Sequence, residues 1–74
     1  MNTLSIAAAI VAGLTGAAAG LSIGIATSKA VEATARQPEA GGRIMQILLL
    51  GGALAEATAI YGLLVAIMLI LLKP

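Results

Sequence analysis

One acidic side chain, Glu56, lies inside a long apolar stretch, and it is the residue whose type and position could do chemistry. It is 13 residues from Arg43 and 17 from Lys73, so its side chain is too short to reach water at either end of the span. A charge at the bilayer centre disfavours insertion by about 2.5 to 3.5 kcal/mol, and burial favours the protonated form of a carboxyl. We therefore expect Glu56 to be a proton carrier that releases its proton only where water or a positive charge meets it.

The helix face around Glu56 offers it no partner of opposite charge. At about 100° per residue, this face is an apolar wall with small residues beside the acid. Its members are Leu49, Gly52, Ala53, Ala59, Ile60, Leu63 and Ile67. Any positive counter-charge must therefore come from a partner protein. The alternative is a structural acid whose carboxyl is satisfied by the hydroxyl of Thr58 or Tyr61.

Composition excludes most other kinds of protein. Soluble domains carry about 25% charged residues, whereas this chain of 74 residues has 9% charged and 61% hydrophobic residues. It has no cysteine and no histidine, so we expect no catalysis, metal site or cofactor in the chain alone. A net charge of +1 and one aromatic residue give no surface for nucleic acid.

Two apolar runs predict two membrane spans. Residues 1–28 contain no charged side chain, and residues 44–72 contain only Glu56, so each run exceeds the about 20 residues needed to cross a bilayer. Between them lie charged and helix-stopping residues: Lys29, Glu32, Arg36, Gln37, Pro38, Glu39, Gly41, Gly42 and Arg43. We predict an all-α, membrane-spanning two-helix hairpin over residues 1–74, with helix 1 at about 3–36, a loop at about 37–41 and helix 2 at about 41–72.

The distribution of basic residues predicts the orientation. The loop carries Lys29, Arg36 and Arg43, whereas the far ends carry only Lys73 and the amino terminus. The side richer in Lys and Arg tends to stay in the cytoplasm, so we expect a cytoplasmic loop and both termini outside. A cleaved signal peptide is disfavoured, because the start is uncharged and the apolar stretch is about twice the usual length.

Helix 1 carries small residues on two opposite sides. Spacings of three and four put one set on a single stripe: Gly13, Gly16, Ala17, Gly20, Gly24 and Thr27. Ala18 and Ser22 lie roughly opposite, so every even position from Gly16 to Gly24 is small. Such stripes let backbones approach closely, and two opposed stripes suit a helix packed between identical neighbours. We expect a homo-oligomeric ring. The alternative is that the pattern has no role in assembly and reflects only the general abundance of glycine and alanine in membrane helices.

These features together resemble the c subunit of the rotary F-type ATP synthase. The resemblance rests on the alternating helix, the loop Ala35-Arg36-Gln37-Pro38-Glu39 and the run from Glu56 to Gly62, with Glu56 twenty positions after Arg36. It covers the whole chain. It implies a non-catalytic rotor-ring subunit with first helices inside, second helices outside and an ion-carrying carboxylate on each outer helix.

The resemblance also implies site residues and partners. Glu56 corresponds to the ion carrier, the backbone carbonyl of Leu54 and the hydroxyl of Tyr61 would complete the site, and the segment from Arg36 through Gln37 to Pro38 would contact the central stalk. The implied partners are identical subunits, the a subunit of the stator, central-stalk subunits and membrane lipids. The form of the loop resembles the bacterial and chloroplast branch, so we expect a bacterial inner membrane, with the thylakoid membrane as the alternative.

Two positions favour a proton over sodium as the transported ion. Sodium-coupled members have a glutamine where this chain has Ile23, and usually a hydroxyl where it has Ala57. Sodium needs several oxygen ligands, and loss of both leaves few. Thr58 keeps a sodium-coupled rotor open as an alternative, because its hydroxyl could hold a water.

Rival interpretations come from other classes of protein. A small pore-forming hairpin would share the length, the hydropathy and the glycine content, and a packing accessory of a larger membrane complex would share them too. Neither needs an acid at the bilayer centre. Modification of Glu56 by a hydrophobic carbodiimide, which reacts with a protonated carboxyl, separates these interpretations from a proton carrier.

Overall fold

The first helix is long because nothing in its sequence interrupts it. The computed structural model describes residues 2–72, and α1 runs over Thr3–Arg36. Asn2 caps its start, since the Ser5 backbone N–H donates to the Asn2 side-chain oxygen at 2.8 Å. It ends at Arg36 because Pro38 disfavours helical geometry in the residue before it, and Gln37 has φ −135° and ψ 72°.

A single turn reverses the chain. A 3-10 turn over Pro38–Ala40 leads directly into α2, Gly41–Leu71. Within residues 2–72 no residue has a positive φ, so Gly41 and Gly42, expected to stop a helix, instead form the first turn of α2. A Cβ on Gly41 would lie 3.4 Å from Thr34 Cγ2. This is an ordinary van der Waals distance, so Gly41 lies beside α1 in a regular helical conformation that a residue with a side chain could also adopt.

Small residues line the contact between the two antiparallel helices. The buried positions among the described residues are Ala8 and Ala19 on α1 and Gly62 and Ala66 on α2. All four are alanine or glycine, so the backbones come close without interlocking large side chains. They lie away from the loop, in the half of the hairpin that contains the start of α1 and the end of α2.

The outer surface of the hairpin is apolar along most of its 56 Å length. Leu21, Leu54 and Leu71 are each about two-thirds exposed or more, an arrangement that water would oppose. Two segments, Thr3–Arg36 and Pro38–Leu71, are long and apolar enough to cross a membrane. At about 1.5 Å per residue each exceeds a bilayer core of about 30 Å.

The residues used to predict the orientation are only partly described. Lys29, Arg36 and Arg43 lie at the loop end of the hairpin and are exposed. Met1 and Lys73, the other residues on which the predicted orientation rests, lie outside the described residues.

Candidate functional site

Glu56 lies at the middle of α2. It is fifteen residues from Gly41 and fifteen from Leu71, the two ends of the helix, or about 22 Å from each. Its side chain is exposed on the flank of α2 and does not pack into the contact with α1. The one ion pair among the described residues joins Arg36 to Glu32 at 4.0 Å, at the loop end. Glu56 therefore has no counter-charge within the described part of its own chain.

The candidate partners of Glu56 point elsewhere. Leu54, Thr58 and Tyr61 are exposed, and Tyr61 is about 140° around the helix from Glu56 at 100° per residue. Within residues 2–72, neither Thr58 nor Tyr61 makes a side-chain hydrogen bond, whereas Thr15, Thr27 and Thr34 donate to carbonyls of their own helix. Within a single copy of the hairpin, Glu56 therefore does not contact the groups expected to complete its site.

Ile23 and Ala57, the two positions on which the expected choice of ion rests, have different surroundings. Ile23 is half-buried on the side of α1 that faces α2, and its backbone carbonyl accepts the Thr27 hydroxyl at 2.7 Å. It lines a cavity of about 500 Å³ between the helices, which reaches Ala55, the neighbour of Glu56. Ala57 follows Glu56 on α2 and is half-buried. Neither side chain carries an oxygen, so neither can coordinate a cation.

The cavity between the helices was not anticipated from the sequence. It lies in the loop-side half, and its lining is apolar or small apart from the Lys29 amine and the Ser22 hydroxyl. The lining residues are Ser22, Ile23, Ala26, Lys29, Ala30, Ile44, Ile47, Leu48, Gly51, Gly52 and Ala55. Several lining residues, among them Ser22, Ala26 and Ile47, are exposed, so the space is an open groove along the hairpin and not an enclosed void.

The small residues of α1 are left free by the hairpin. The five alternating positions are all exposed: Gly16, Ala18, Gly20, Ser22 and Gly24. A Cβ added to any of the three glycines would meet nothing within 4 Å. Ala8 and Ala19 mark the side of α1 that faces α2. With about 100° of rotation per residue, this side lies between the glycine set and the Ala18/Ser22 set. Each set therefore lies on its own flank of the hairpin.

The loop residues are exposed where the chain reverses. Arg36 ends α1, Gln37 connects it to the turn, and Pro38 begins the turn. All three side chains are open to contact from outside the hairpin.

Thr15 of α1 and Gly62 of α2 make a close contact that was not predicted from the sequence. Gly62 is buried against α1, and a Cβ there would overlap the Thr15 side chain. A usable signal was present in α2, because Ala55, Ala59, Gly62 and Ala66 are small and spaced by four, three and four. This spacing marks one helix face.

The fold and the site define a class: a helical membrane hairpin with a carboxyl at the centre of one span and small residues free on both flanks of the other. Known proteins of this class match the chain. The sequence model of the family described as the C subunit of ATP synthase matches residues 6–69. The ATP synthase c subunit of Caldanaerobacter subterraneus subsp. tengcongensis is 76% identical over 74 residues, which cover 100% of both chains.

Two further relatives have the same name. The ATP synthase c subunit of Ruminiclostridium cellulolyticum is 64% identical over 70 residues, covering 95% of this chain and 91% of the relative. That of Clostridium beijerinckii is 58% identical over 67 residues, covering 90% and 94%. The chain belongs to the family of ATP synthase c subunits.

Family membership confirms several predictions. The chain is an all-α, two-span membrane hairpin of a family whose members form rings. It is a non-catalytic subunit of the rotor of the F-type ATP synthase. This assignment decides against the pore-forming hairpin.

Proposed function

We propose that Glu56 carries the ion that this rotor subunit transports, and that the ion is one proton per protomer. The observation that carries the proposal is the position of the side chain: exposed, at the midpoint of α2, with no counter-charge among the described residues. A carboxyl in lipid is stable only when it is protonated. It gives up the proton where water and a fixed positive charge are available, which limits exchange to the contact with the stator.

The energy of this exchange is enough to drive rotation. Each proton that crosses about 100 mV of membrane potential releases about 2.3 kcal/mol. Since a neutral Glu56 can face lipid and a charged one cannot, the ring turns only as protons enter and leave at the stator. The rotor converts these steps into torque on the central stalk.

The exposed small residues support a ring in which α1 is the inner helix. Gly16, Gly20 and Gly24 lie on one flank, and Ala18 and Ser22 on the other. If the glycine flank of one copy meets the Ala18/Ser22 flank of the next, the same contact repeats around a closed circle. Helix α2, with its large apolar side chains, then faces lipid.

The same arrangement completes the ion site between two copies. Glu56 lies on the flank of α2 that corresponds to the glycine flank of α1, whereas Thr58 and Tyr61 lie on the other side of the helix at about 100° per residue. A neighbour would therefore bring its Tyr61 hydroxyl, its Leu54 carbonyl and its Thr58 towards Glu56. A protonated carboxyl needs one acceptor, which such a neighbour supplies.

Proton rather than sodium is favoured by the side chains at two positions. Ile23 and Ala57 supply no oxygen, and a sodium ion needs several. A sodium-coupled rotor would have to rely on Glu56, Thr58, Tyr61, backbone carbonyls and water.

The loop end of the hairpin supports a contact with the central stalk. Arg36, Gln37 and Pro38 are exposed at the turn, and the basic residues near them favour a cytoplasmic location. We place the hairpin in a bacterial cell membrane, with the termini outside and the a subunit of the stator beside α2.

A hydrophobic carbodiimide tests the carrier role in the intact ring. We expect labelling of Glu56 that increases as the pH falls, because only the protonated carboxyl reacts. Glu32 and Glu39, exposed near the loop, serve as internal controls and should label poorly from the lipid phase. Labelling of Glu32 or Glu39 in place of Glu56 would contradict the proposal.

A further inference from the structure

Thr15 of α1 and Gly62 of α2 touch in a way that only glycine allows. A Cβ built on Gly62 would lie 2.7 Å from Thr15 Cβ and 2.8 Å from Thr15 Cγ2, and it would overlap the hydroxyl oxygen. In protein structures a Cβ atom essentially never comes within 3.0 Å of a heavy atom to which it is not bonded through one or two bonds. Any larger residue at position 62 must therefore move one of the helices.

Thr15 cannot turn away to make room. Its hydroxyl donates to the Val11 carbonyl at 2.8 Å, which fixes the rotamer in a membrane where no water offers an alternative partner. Its Cβ is bonded to the backbone and stays in place in every rotamer. The contact is thus between two rigid parts of the hairpin.

This contact lies close to the proposed ion site. Gly62 is six residues after Glu56, about 9 Å along the axis, and it directly follows Tyr61. Since Glu56 and Tyr61 lie on different sides of α2, a rotation or displacement of α2 moves both. Gly62 and Ala66 are the two buried positions of α2 among the described residues, so the contact lies in the part of α2 that is most fully covered by α1.

We propose that Thr15 and Gly62 are a positioning pair for proton transport. Their contact sets the separation and rotation of α2 on α1, and through them the position of Glu56 relative to the Tyr61 of the next copy. The inference rests on the proposed carrier role of Glu56. It does not involve the glycine flank of α1, which lies on another side of that helix.

The test is the pH profile of carbodiimide labelling at Glu56 in rings that carry Gly62→Ala. We expect the ring to form, because Gly16, Gly20 and Gly24 are untouched, and the labelling midpoint to move by about one pH unit or more. Gly42→Ala is the matched control, since a Cβ there meets nothing within 4 Å, and its profile should equal that of the parent.

Second-site changes separate a steric contact from general damage. Thr15→Gly combined with Gly62→Ala removes every Thr15 atom that a Cβ at position 62 would meet and should restore the parental profile. Thr15→Ala combined with Gly62→Ala should not, because the Thr15 Cβ that clashes at 2.7 Å remains.

Three outcomes would overturn the inference. The first is a labelling profile in Gly62→Ala that equals that of the parent. The second is that Thr15→Ala and Thr15→Gly restore the profile of Gly62→Ala equally well. The third applies if Gly62→Ala gives no ring, and it is failure of Thr15→Gly to restore the ring. None of them removes the carrier role. Absence of pH-dependent labelling at Glu56 in the parent ring would reject the carrier role instead.

Discussion

The two helices of the hairpin present different surfaces to their surroundings. Helix α1 exposes Gly16, Gly20 and Gly24, with open space where their side chains would be, between a few large side chains such as Leu21. The exposed surface of α2 is mostly large and apolar, as at Leu54 and Tyr61, each 67% accessible. A backbone left bare suits contact with another protein backbone, and large apolar side chains suit lipid. We therefore expect assembly to depend mainly on α1 and ion transport mainly on α2, so that each can be lost without the other.

The largest effect should come from removing the acid of α2. Glu56→Gln should abolish ATP-driven proton pumping, because the amide is similar in shape but cannot exchange a proton at any accessible pH. Ring yield in detergent should stay at the parental level, since the flanks of α1 are unchanged. Pumping is measured in vesicles that contain the whole complex.

Two results in this variant would contradict the division of roles between α1 and α2. Retained pumping in Glu56→Gln would remove the carrier role. Loss of the ring in the same variant would show that Glu56 takes part in assembly, so that α2 would no longer be separable from α1.

The next effect is a loss of assembly caused by changes in α1. Gly20→Leu or Gly24→Leu should block ring formation, because a branched side chain forces apart backbones that small residues keep in contact. Gly42→Leu makes the same change on α2 near the loop, also in open space, and should assemble normally. The intact ring is detected by its mass in detergent.

Gly42→Leu distinguishes a specific interface on α1 from a general intolerance of large side chains. Normal ring yield in both Gly20→Leu and Gly24→Leu would mean that the alternating pattern reflects composition and carries no interface. Equal loss in Gly42→Leu would mean that the assembly tolerates no bulk anywhere on the hairpin.

Sequence predicted the elements of the hairpin better than the packing between them. The apolar runs and Pro38 suffice for two helices and a turn, because bilayer thickness and proline geometry leave few alternatives. Which side of α1 meets α2 could not be predicted. Lipid is as apolar as a leucine side chain, so polarity does not distinguish the helix face that meets α2 from the faces that meet lipid. Ala19 is buried and Gly20 is exposed, but both are small and apolar.

The candidate site shows the same division. Glu56 could be proposed as the ion carrier from sequence, because an acid in a membrane span is rare and its unfavourable insertion energy implies a function. The separation of Glu56 from Tyr61 around α2 follows from helical periodicity. The contact of Thr15 with Gly62 needs the relative position of two helices, which no local pattern specifies.

Sodium should have the smallest effect, and its test concerns both helices, because the two positions that could add oxygen ligands lie one on each helix. Ile23 of α1 and Ala57 of α2 provide no oxygen. We therefore expect millimolar sodium not to protect Glu56 from the carbodiimide at neutral or mildly alkaline pH. A bound cation would keep the carboxylate charged and unreactive, whereas a proton creates the reactive acid.

Two substitutions should add the missing ligands. Ile23→Gln together with Ala57→Ser should introduce measurable protection by sodium, because the cavity beside Ile23 leaves room for an amide near Glu56. Each single variant is the control and should protect less, since each adds one oxygen where several are needed. Clear protection by sodium in the parent ring would contradict the prediction. It would mean that Thr58, Tyr61, backbone carbonyls and a trapped water supply enough oxygen, and that α1 contributes no ligand to the ion at all.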